Sequence, residues 1–426
     1  MTVPRIEDAR EAVTKKNYKK AEQIYTEILD ANIVDAHIRN EKLIETQESG
    51  IQELGELYLL QGKKGELVQL VSKARQTMGS LAKSKTAKII KNLIDLIEHS
   101  EFDDAVTATI KVTQECIDWA IEEKRSFLRQ SLQIRLASLF YKSKEYNSSL
   151  ARINELLKEF KRLDDKFSLV EVQLLESKNY FQLKNYAKSK AAITSARTSA
   201  NSIYCPSPLQ AELDLVSGVL HAEEKDFSTA FSYFYEAFEN YQIHTDPKKT
   251  IKVLKYMLLC KIMLGSIDDV TSLLNNKNIS KFSHEKEVEA MKSVSVAHSN
   301  RSLKELEDCL KSYNAELTED PIIRSHLSDL YDSLFQRNLL KLIEPYSCIE
   351  ISHISAMIGL PRNIIETKLS NMILDKTFFG VLDQGNGWLV IYDEPQRDET
   401  YDLNLNVIKT MSGVVDLLYE KASSIA

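Results

Sequence analysis

EYNSS at residues 145–149, NYAKS at 185–189 and DFSTA at 226–230 are three copies of one phrase: a polar residue, a large ring, two further residues and a small one. The phrase recurs as Asn17-Tyr18…Ala21, Glu101-Phe102…Ala105 and Ser266-Ile267…Val270, with a weaker copy at Leu303. From Phe102 through Tyr146, Tyr186 and Phe227 to Ile267 the large residues stand 44, 40, 41 and 40 positions apart. A large side chain that opens the second helix of a hairpin plugs the gap to the first helix. A small one, a turn further on, lets the two backbones approach. The period is the grammar of stacked helix-turn-helix units.

Upstream of these phrases lie stripes spaced i, i+4, i+7, i+11: Val170, Leu174, Ser177, Phe181; Leu209, Leu213, Val216, Leu220; and Val253, Met257, Cys260, Leu264. Each marks the buried face of a first helix. Such a unit covers its apolar face only by stacking on its neighbours, which predicts an all-α, right-handed solenoid with a long binding groove. The pattern resembles tetratricopeptide repeats. Its period exceeds their length of about thirty-four residues, and their Trp and terminal Pro positions are missing, so the array is TPR-like only.

Composition agrees with an unbroken helical array. Among 426 residues there are 12 Gly and 8 Pro, with no Pro from Arg5 through Cys205 and no Gly from Ser80 through Ser217. A stretch with so few breakers is largely helix. A net charge of −7 leaves no global basic footprint for nucleic acid. No apolar run approaches the ~20 residues that cross a bilayer, and the charged start MTVPRIEDAREAV is unlike a signal peptide, so a soluble, unexported chain is expected.

The helical period changes after Lys341, where Glu344-Pro345-Tyr346 makes a stop. Ile351 to Ile358 reads as a short helix ended by Gly359, and Pro361 as the first residue of a helix running to about Asp375. Its predicted buried face is Ile364, Ile365, Leu369, Met372 and Ile373. Phe378–Leu382 and Trp388–Tyr392 then form two strands across the loop Asp383-Gln384-Gly385-Asn386-Gly387. Helix, turn, helix and a two-stranded wing make a winged helix. As a recognition helix the second helix is poor: Arg362, Lys368 and Lys376 face Glu366 and Asp375. From Asp375 to Asp402 seven acids oppose two bases, which repels phosphate. A free strand edge of the wing suits pairing with a strand of another protein instead, with Phe379, Trp388 and Val390 as contact residues.

From Thr400 a last helix carries Leu403, Val407, Met411, Val414 and Leu418 on one stripe, with Leu405, Ile408, Val415 and Leu417 beside it. That face either docks on the chain's own winged helix or joins a bundle with other subunits; Val407, Met411, Val414 and Leu418 are the candidate contacts. Near the other end, Lys63, Lys64, Lys73, Arg75, Lys83, Lys85, Lys88 and Lys91 stand against a single acid, Glu66. This basic run is either a solvated helix face or a steered contact for an acidic partner.

Catalytic chemistry finds no footing. The eight histidines (37, 99, 221, 244, 284, 298, 326, 353) show neither i, i+4 spacing nor a His-x-His pair. No phosphate-binding loop or nucleophile elbow exists, and the Gly-Asn-Gly of the wing is a turn. His353 reads as helix-start packing or capping, and Asp164-Asp165 and Asp268-Asp269 as helix caps. Cys116, Cys205, Cys260, Cys309 and Cys348 are at least 39 residues apart and read as isolated buried thiols. Neither a cofactor nor a metal is expected.

SKTAKIIKNLID (84–95), AKSKAAITSARTSANSIYCP (187–206), KYMLLCKIML (255–264), IEISHISAMIGL (349–360) and LSNMILDKTFFGVLDQGNGWLVIYDE (369–394) resemble, over nearly the whole chain, the PCI-domain subunits of the 26S proteasome lid, non-ATPase regulatory subunit 11 type. The resemblance implies TPR-like repeats over 1–222, a PCI domain over 223–395 (helical repeats to 338, winged helix from 339) and a bundle helix over 396–426. It further implies a non-catalytic subunit that clamps lid, ATPase ring and the outer α-ring of the core particle together, in cytoplasm and nucleus, without nucleic acid or membrane. The rival readings are a PCI subunit of the signalosome or of a translation initiation factor, and a nucleic-acid-binding winged-helix protein.

Overall fold

A computed structural model describes residues 6–15, 17–30, 41–77, 83–98, 105–243, 246–318, 320–393 and 399–425. Helices pair in sequence order: α1 (Ile6–Thr14) with α2 (Tyr18–Asp30), α3 (Glu41–Gln61) with α4 (Lys64–Thr77), α5 (Lys83–Glu98) with α6 (Ala105–Glu122), and α7 (Ser126–Lys142) with α8 (Tyr146–Leu163). The series continues with α9 (Lys166–Gln182) and α10 (Tyr186–Asn201), and α11 (Ser207–Glu223) and α12 (Phe227–Ile243); α13 (Pro247–Leu264) and α14 (Ile267–Leu274) follow in sequence, and α15 (Lys286–Asn300) pairs with α16 (Leu303–Ser312). Tyr18, Tyr146, Tyr186, Phe227, Ile267 and Leu303 each open a second helix, as the repeated phrase predicts. Phe102 lies outside the described residues. The hairpin α3/α4 was missed because GKKGEL (62–67) has no large residue at the helix start.

The connection between paired helices is built by a residue the phrase omits. Lys144, Lys184, Lys225, Gly265 and Arg301, each just before the polar residue, take left-handed φ values of 65°, 57°, 65°, 77° and 50°. Behind them the N–H of Glu145 donates to Phe140 O at 2.9 Å, that of Asn185 to Tyr180 O at 2.9 Å and that of Asp226 to His221 O at 3.0 Å. This six-to-one closure satisfies carbonyls the helix end would orphan. The same polar residue then caps the next helix: Oδ1 of Asn185 accepts from Lys188 N and Oδ1 of Asp226 from Thr229 N, both at 3.3 Å. One residue closes one helix and opens another, so the hairpin needs almost no loop. A cation in the left-handed position faces the negative end of the finished helix, which offsets part of the steric cost of about 1–2 kcal/mol.

The small residue of the phrase does more than leave room. Ser149 Oγ donates to Ala137 O at 2.9 Å and Ser189 Oγ to Ser177 O at 2.8 Å, each across its hairpin. Asn179 Nδ2 reaches Ser149 Oγ at 3.1 Å and so ties α9 to the preceding pair. Where the hydroxyl is absent, the backbone itself comes close: a Cβ on Gly218 of α11 would sit 2.7 Å from a ring carbon of Phe234 in α12. The large residues plug the turn end as expected, Tyr146 against Tyr141 with ring centres 6.0 Å apart and Tyr186 against Phe181 at 5.7 Å.

Of the predicted stripes Val170, Leu174, Leu213, Leu220, Val253, Met257 and Cys260 are buried, but Leu264, the last residue of α13, is 43% exposed; in that turn Ile262 is the residue that faces inward. Asp165 caps α9 through Ser168 N, whereas Asp268 and Asp269 lie inside the first turn of α14 after Ser266 and do not cap it. There they complement the positive end of the helix.

The chain divides into two compact units, Met1–Cys260 and Lys261–Ala426. In the second, α17 (Asn314–Thr318) and the long α18 (Pro321–Ile343) lead into β1 (Cys348–Glu350), α19 (Ile351–Ile358), α20 (Arg362–Leu374), β2 (Phe379–Asp383) and β3 (Trp388–Tyr392). Gly359, φ 84°, ends α19 as predicted; Pro361 is the cap residue before α20 rather than its first helical residue. Ile365, Leu369 and Met372 are buried, but Ile364 is 50% exposed, on the outer side of the helix. The sheet has a third strand, missed because Cys-Ile-Glu is too short to show alternation. Its order is β1-β3-β2, all antiparallel, with Val390 opposite both Cys348 and Val381. A last helix, α21 (Glu399–Ile425), completes the chain.

Candidate protein-interaction surfaces

The basic run is spread over α4, the start of α5 and the turn before α4, and it is not bare. Lys63 Nζ lies 3.1 Å from Glu22 and 3.0 Å from Glu66, which hold its ammonium above the usual lysine range. Arg75 pairs with Glu115 at 3.2 Å and Lys85 with Glu48 at 3.6 Å. Lys88 is exposed on α5, and the side chains of Lys64 and Lys83 lie outside the described residues. Acids from α2, α3 and α6 thus neutralise part of a patch that looked unopposed along the sequence, since the stack brings together residues about forty positions apart.

On the winged module, β3 is hydrogen-bonded on both sides, so Trp388 and Val390 stand in the central strand and offer no free backbone edge. The third strand is the reason: β1 takes the edge that a two-stranded wing would leave open. The open edges belong to β1 and to β2, where Phe379 is half-buried and Val381 is 53% exposed. Trp388 still presents half its side chain to solvent. On α20, Arg362 pairs with Glu366 and Lys368 with Asp332 of α18, so its cations are held in place.

Helix α21 has no buried residue along its 27 positions. Val407, Met411, Val414 and Leu418 are 54–63% exposed, and Leu403, Leu405, Ile408, Val415 and Leu417 are similarly open. Docking on the chain's own winged helix is therefore not what the structure shows. Among the described residues none buries the apolar face of this helix.

Titratable groups in the interior serve the packing. Burial pushes the Glu98 carboxyl up, but hydrogen bonds from Lys142 and Arg135 outweigh this and hold it below the carboxylate range. Asp214, 1% exposed, is raised to about 6 by burial, despite Gln210 and Arg197 beside it. His298 on α15 is lowered to about 4 by burial and by the nearby Arg337 and Arg301. Its Nε2 accepts from the Arg337 guanidinium at 3.4 Å, which puts the proton on Nδ1. His353 is exposed at the start of α19 and holds no cap. Cys116 and Cys260 are buried, but Cys348 is exposed on β1, because a three-residue edge strand turns alternate side chains outward. Among the described residues no group of three His, Cys, Asp or Glu is placed to hold a metal, and no helix is long and apolar enough to cross a membrane.

Stacked helical hairpins, a winged helix with open sheet edges and a terminal helix with an uncovered apolar face define a helical-repeat PCI scaffold. Residues 310–393 match the PCI domain family, residues 2–143 the family described as the 26S proteasome regulatory subunit RPN6 N-terminal domain, and residues 397–423 that of the RPN6 C-terminal helix domain. Similar proteins include the 26S proteasome regulatory subunit RPN6 of Saccharomyces cerevisiae, 50% identical with 99% of each chain covered. Others are the probable regulatory subunit rpn6 of Schizosaccharomyces pombe, 47% identical over 98% of each, and the 26S proteasome non-ATPase regulatory subunit 11 homolog of Arabidopsis thaliana, 47% identical over 86% of this chain and 87% of that one. The chain belongs to the RPN6 family of 26S proteasome regulatory subunits, a non-catalytic family.

Proposed function

We propose that the chain is a structural clamp of the proteasome lid, working in cytoplasm and nucleus in ubiquitin-dependent degradation. The open edge of the wing joins other PCI subunits of the lid. Helix α21 anchors the chain in a helical bundle, and the N-terminal repeats contact the ATPase ring and the outer α-ring of the core particle. Lys63, Lys64, Lys83, Lys85 and Lys88 steer that N-terminal contact toward an acidic partner surface. Holding weakly associated subassemblies together is an avidity effect, because each contact raises the effective concentration for the others.

The observation that carries this reading is α21. Leaving one large aliphatic side chain in water forgoes about 1.5–3 kcal/mol relative to burial, and here a whole row is left uncovered. An apolar face of this extent marks a binding surface. The test is depletion of the protein from cells. Core-particle hydrolysis of short fluorogenic peptides should persist while capped proteasomes diminish on native gels; unchanged capping overturns the clamp.

A further inference from the structure

In a chain of net charge −7, helix α10 contains Lys188, Lys190 and Arg197 and no acid at all. Its outward face is made of short side chains, with Ala187, Ala191, Thr194, Ser195 and Thr198 exposed. Clefts flank it on both sides. One, of about 440 Å³, lies toward α8 and α9 and is lined by Leu157, Lys158, Lys161, Glu176 and Lys188 among others. Its counterpart, of about 270 Å³, lies toward α11 and α12 with Lys190, Arg197, His221, Glu224 and Tyr233. They are the same groove in successive repeats: Leu157, Lys158 and Lys161 line the first where Arg197, Thr198 and Asn201, 40 residues on, line the second. They share no lining residue; the low exposed face of α10 runs between them, and the two clefts with this face make up one surface, a trough.

The trough is positive and partly unsatisfied. Five Lys and Arg residues line it against two Glu. Lys190 bonds Glu224 at 2.6 Å, and Arg197 lies 3.6 Å from Asp214 and 4.3 Å from the centre of the Tyr233 ring. Among the described residues Lys158, Lys161 and Lys188 have no carboxylate within ion-pair distance; Lys188 lies over the Tyr180 ring at 5.5 Å. Gln173 lines the first cleft at 3% exposure. Its Nε2 donates to Ser195 Oγ at 2.8 Å while its Oε1 has no partner. A buried amide atom left unpaired costs about 1–3 kcal/mol, and a ligand in this cleft would relieve it in either amide orientation.

We propose that this trough seats an acidic amphipathic helix of a partner protein. Small residues on α10 permit close helix–helix approach, and the floor from Ala187 to Thr198 spans about 18 Å, three turns of helix. Carboxylates on the rim of the incoming helix meet Lys158 and Lys161 on one side and Lys188 and Lys190 nearer the middle. The site does not rest on the clamp reading and is separate from the Lys63–Lys88 run.

The test uses the full chain and a fluorescein-labelled, helix-stapled peptide of about fifteen residues with Glu and Leu on opposite faces, followed by anisotropy at low salt. Replacing Lys158, Lys161 and Lys188 together by Glu should weaken binding by about tenfold or more. Ala191→Trp, which fills the floor without changing charge, should weaken it to a similar degree, and the control Lys277→Glu/Lys281→Glu, at exposed lysines of the other unit, should leave it unchanged. All these positions are exposed, so circular dichroism should not move. Absence of peptide binding, a triple variant that binds normally, or a control that weakens equally overturns the site. If Ala191→Trp binds normally while the triple variant fails, the surface attracts charge without seating a helix. A uridine oligonucleotide that displaces the peptide and is itself lost in the triple variant makes it a nucleic-acid face. Either result also overturns the proposal.

Discussion

Lys184 shows how much one backbone angle carries. At φ 57° its Cβ crowds the following carbonyl, which glycine avoids and a β-branched residue worsens. Lys184→Gly should raise the thermal stability of the isolated chain by up to about 1 kcal/mol, and Lys184→Val should lower it. His298 sets a pH dependence. Its folded pKa of about 4 lies below the unfolded value of 6.5, so the unfolded chain takes up a proton first as pH falls. This group therefore costs no stability above pH 6.5 and progressively more between 6.5 and 4, reaching on the order of 3 kcal/mol. His298→Gln should flatten the acid branch of a stability-against-pH curve measured by urea unfolding. Asp214 works oppositely: its pKa is raised to about 6, so it withholds stability at neutral pH and returns it on acidification. Neither residue betrays this in the sequence, since burial by other helices causes both shifts.

At the scale of single elements, α21 separates folding from assembly. Because none of its side chains is buried, Met411→Glu with Val414→Glu should leave the melting temperature of the isolated chain nearly unchanged, within about 0.5 kcal/mol. The same pair should block incorporation into the lid on native gels. Deleting residues 400–426 should do likewise, with the remaining helices intact by circular dichroism; a truncated chain that still assembles removes α21 from the anchor role. The existence of α21 was plain from its periodic apolar residues. That no described residue of its own chain covers it was not, because one amphipathic stripe serves a helix docked at home as well as one docked elsewhere. The wing tells a similar story: two strands were legible from alternation and turn residues, while β1 was too short to declare itself and its presence moves one open edge from β3 to β1.

At the scale of the whole molecule, the repeats within each compact unit behave as a chain of neighbours, each hairpin packed on the next. Gly218→Val, which forces the Phe234 ring aside, should cost about 1–3 kcal/mol, and the lost hydrogen-exchange protection should concentrate in α9 to α12. Protection in α18 and α20 should be unaffected; uniform loss along the chain would contradict a nearest-neighbour array. The sequence by itself determined the repeat, because the turn residues, the small residue and the apolar stripe all act within one hairpin and recur every forty or so positions. It also determined the winged helix and the terminal helix, whose signals are equally local. Only the tertiary structure decided which charges are free. Glu22, Glu48 and Glu115 reach the basic run from helices distant in sequence, while Lys158, Lys161 and Lys188 share a cleft beside α10 with Glu176 and, among the described residues, form no ion pair. Coulomb energy depends on separation in space, and stacking sets that separation.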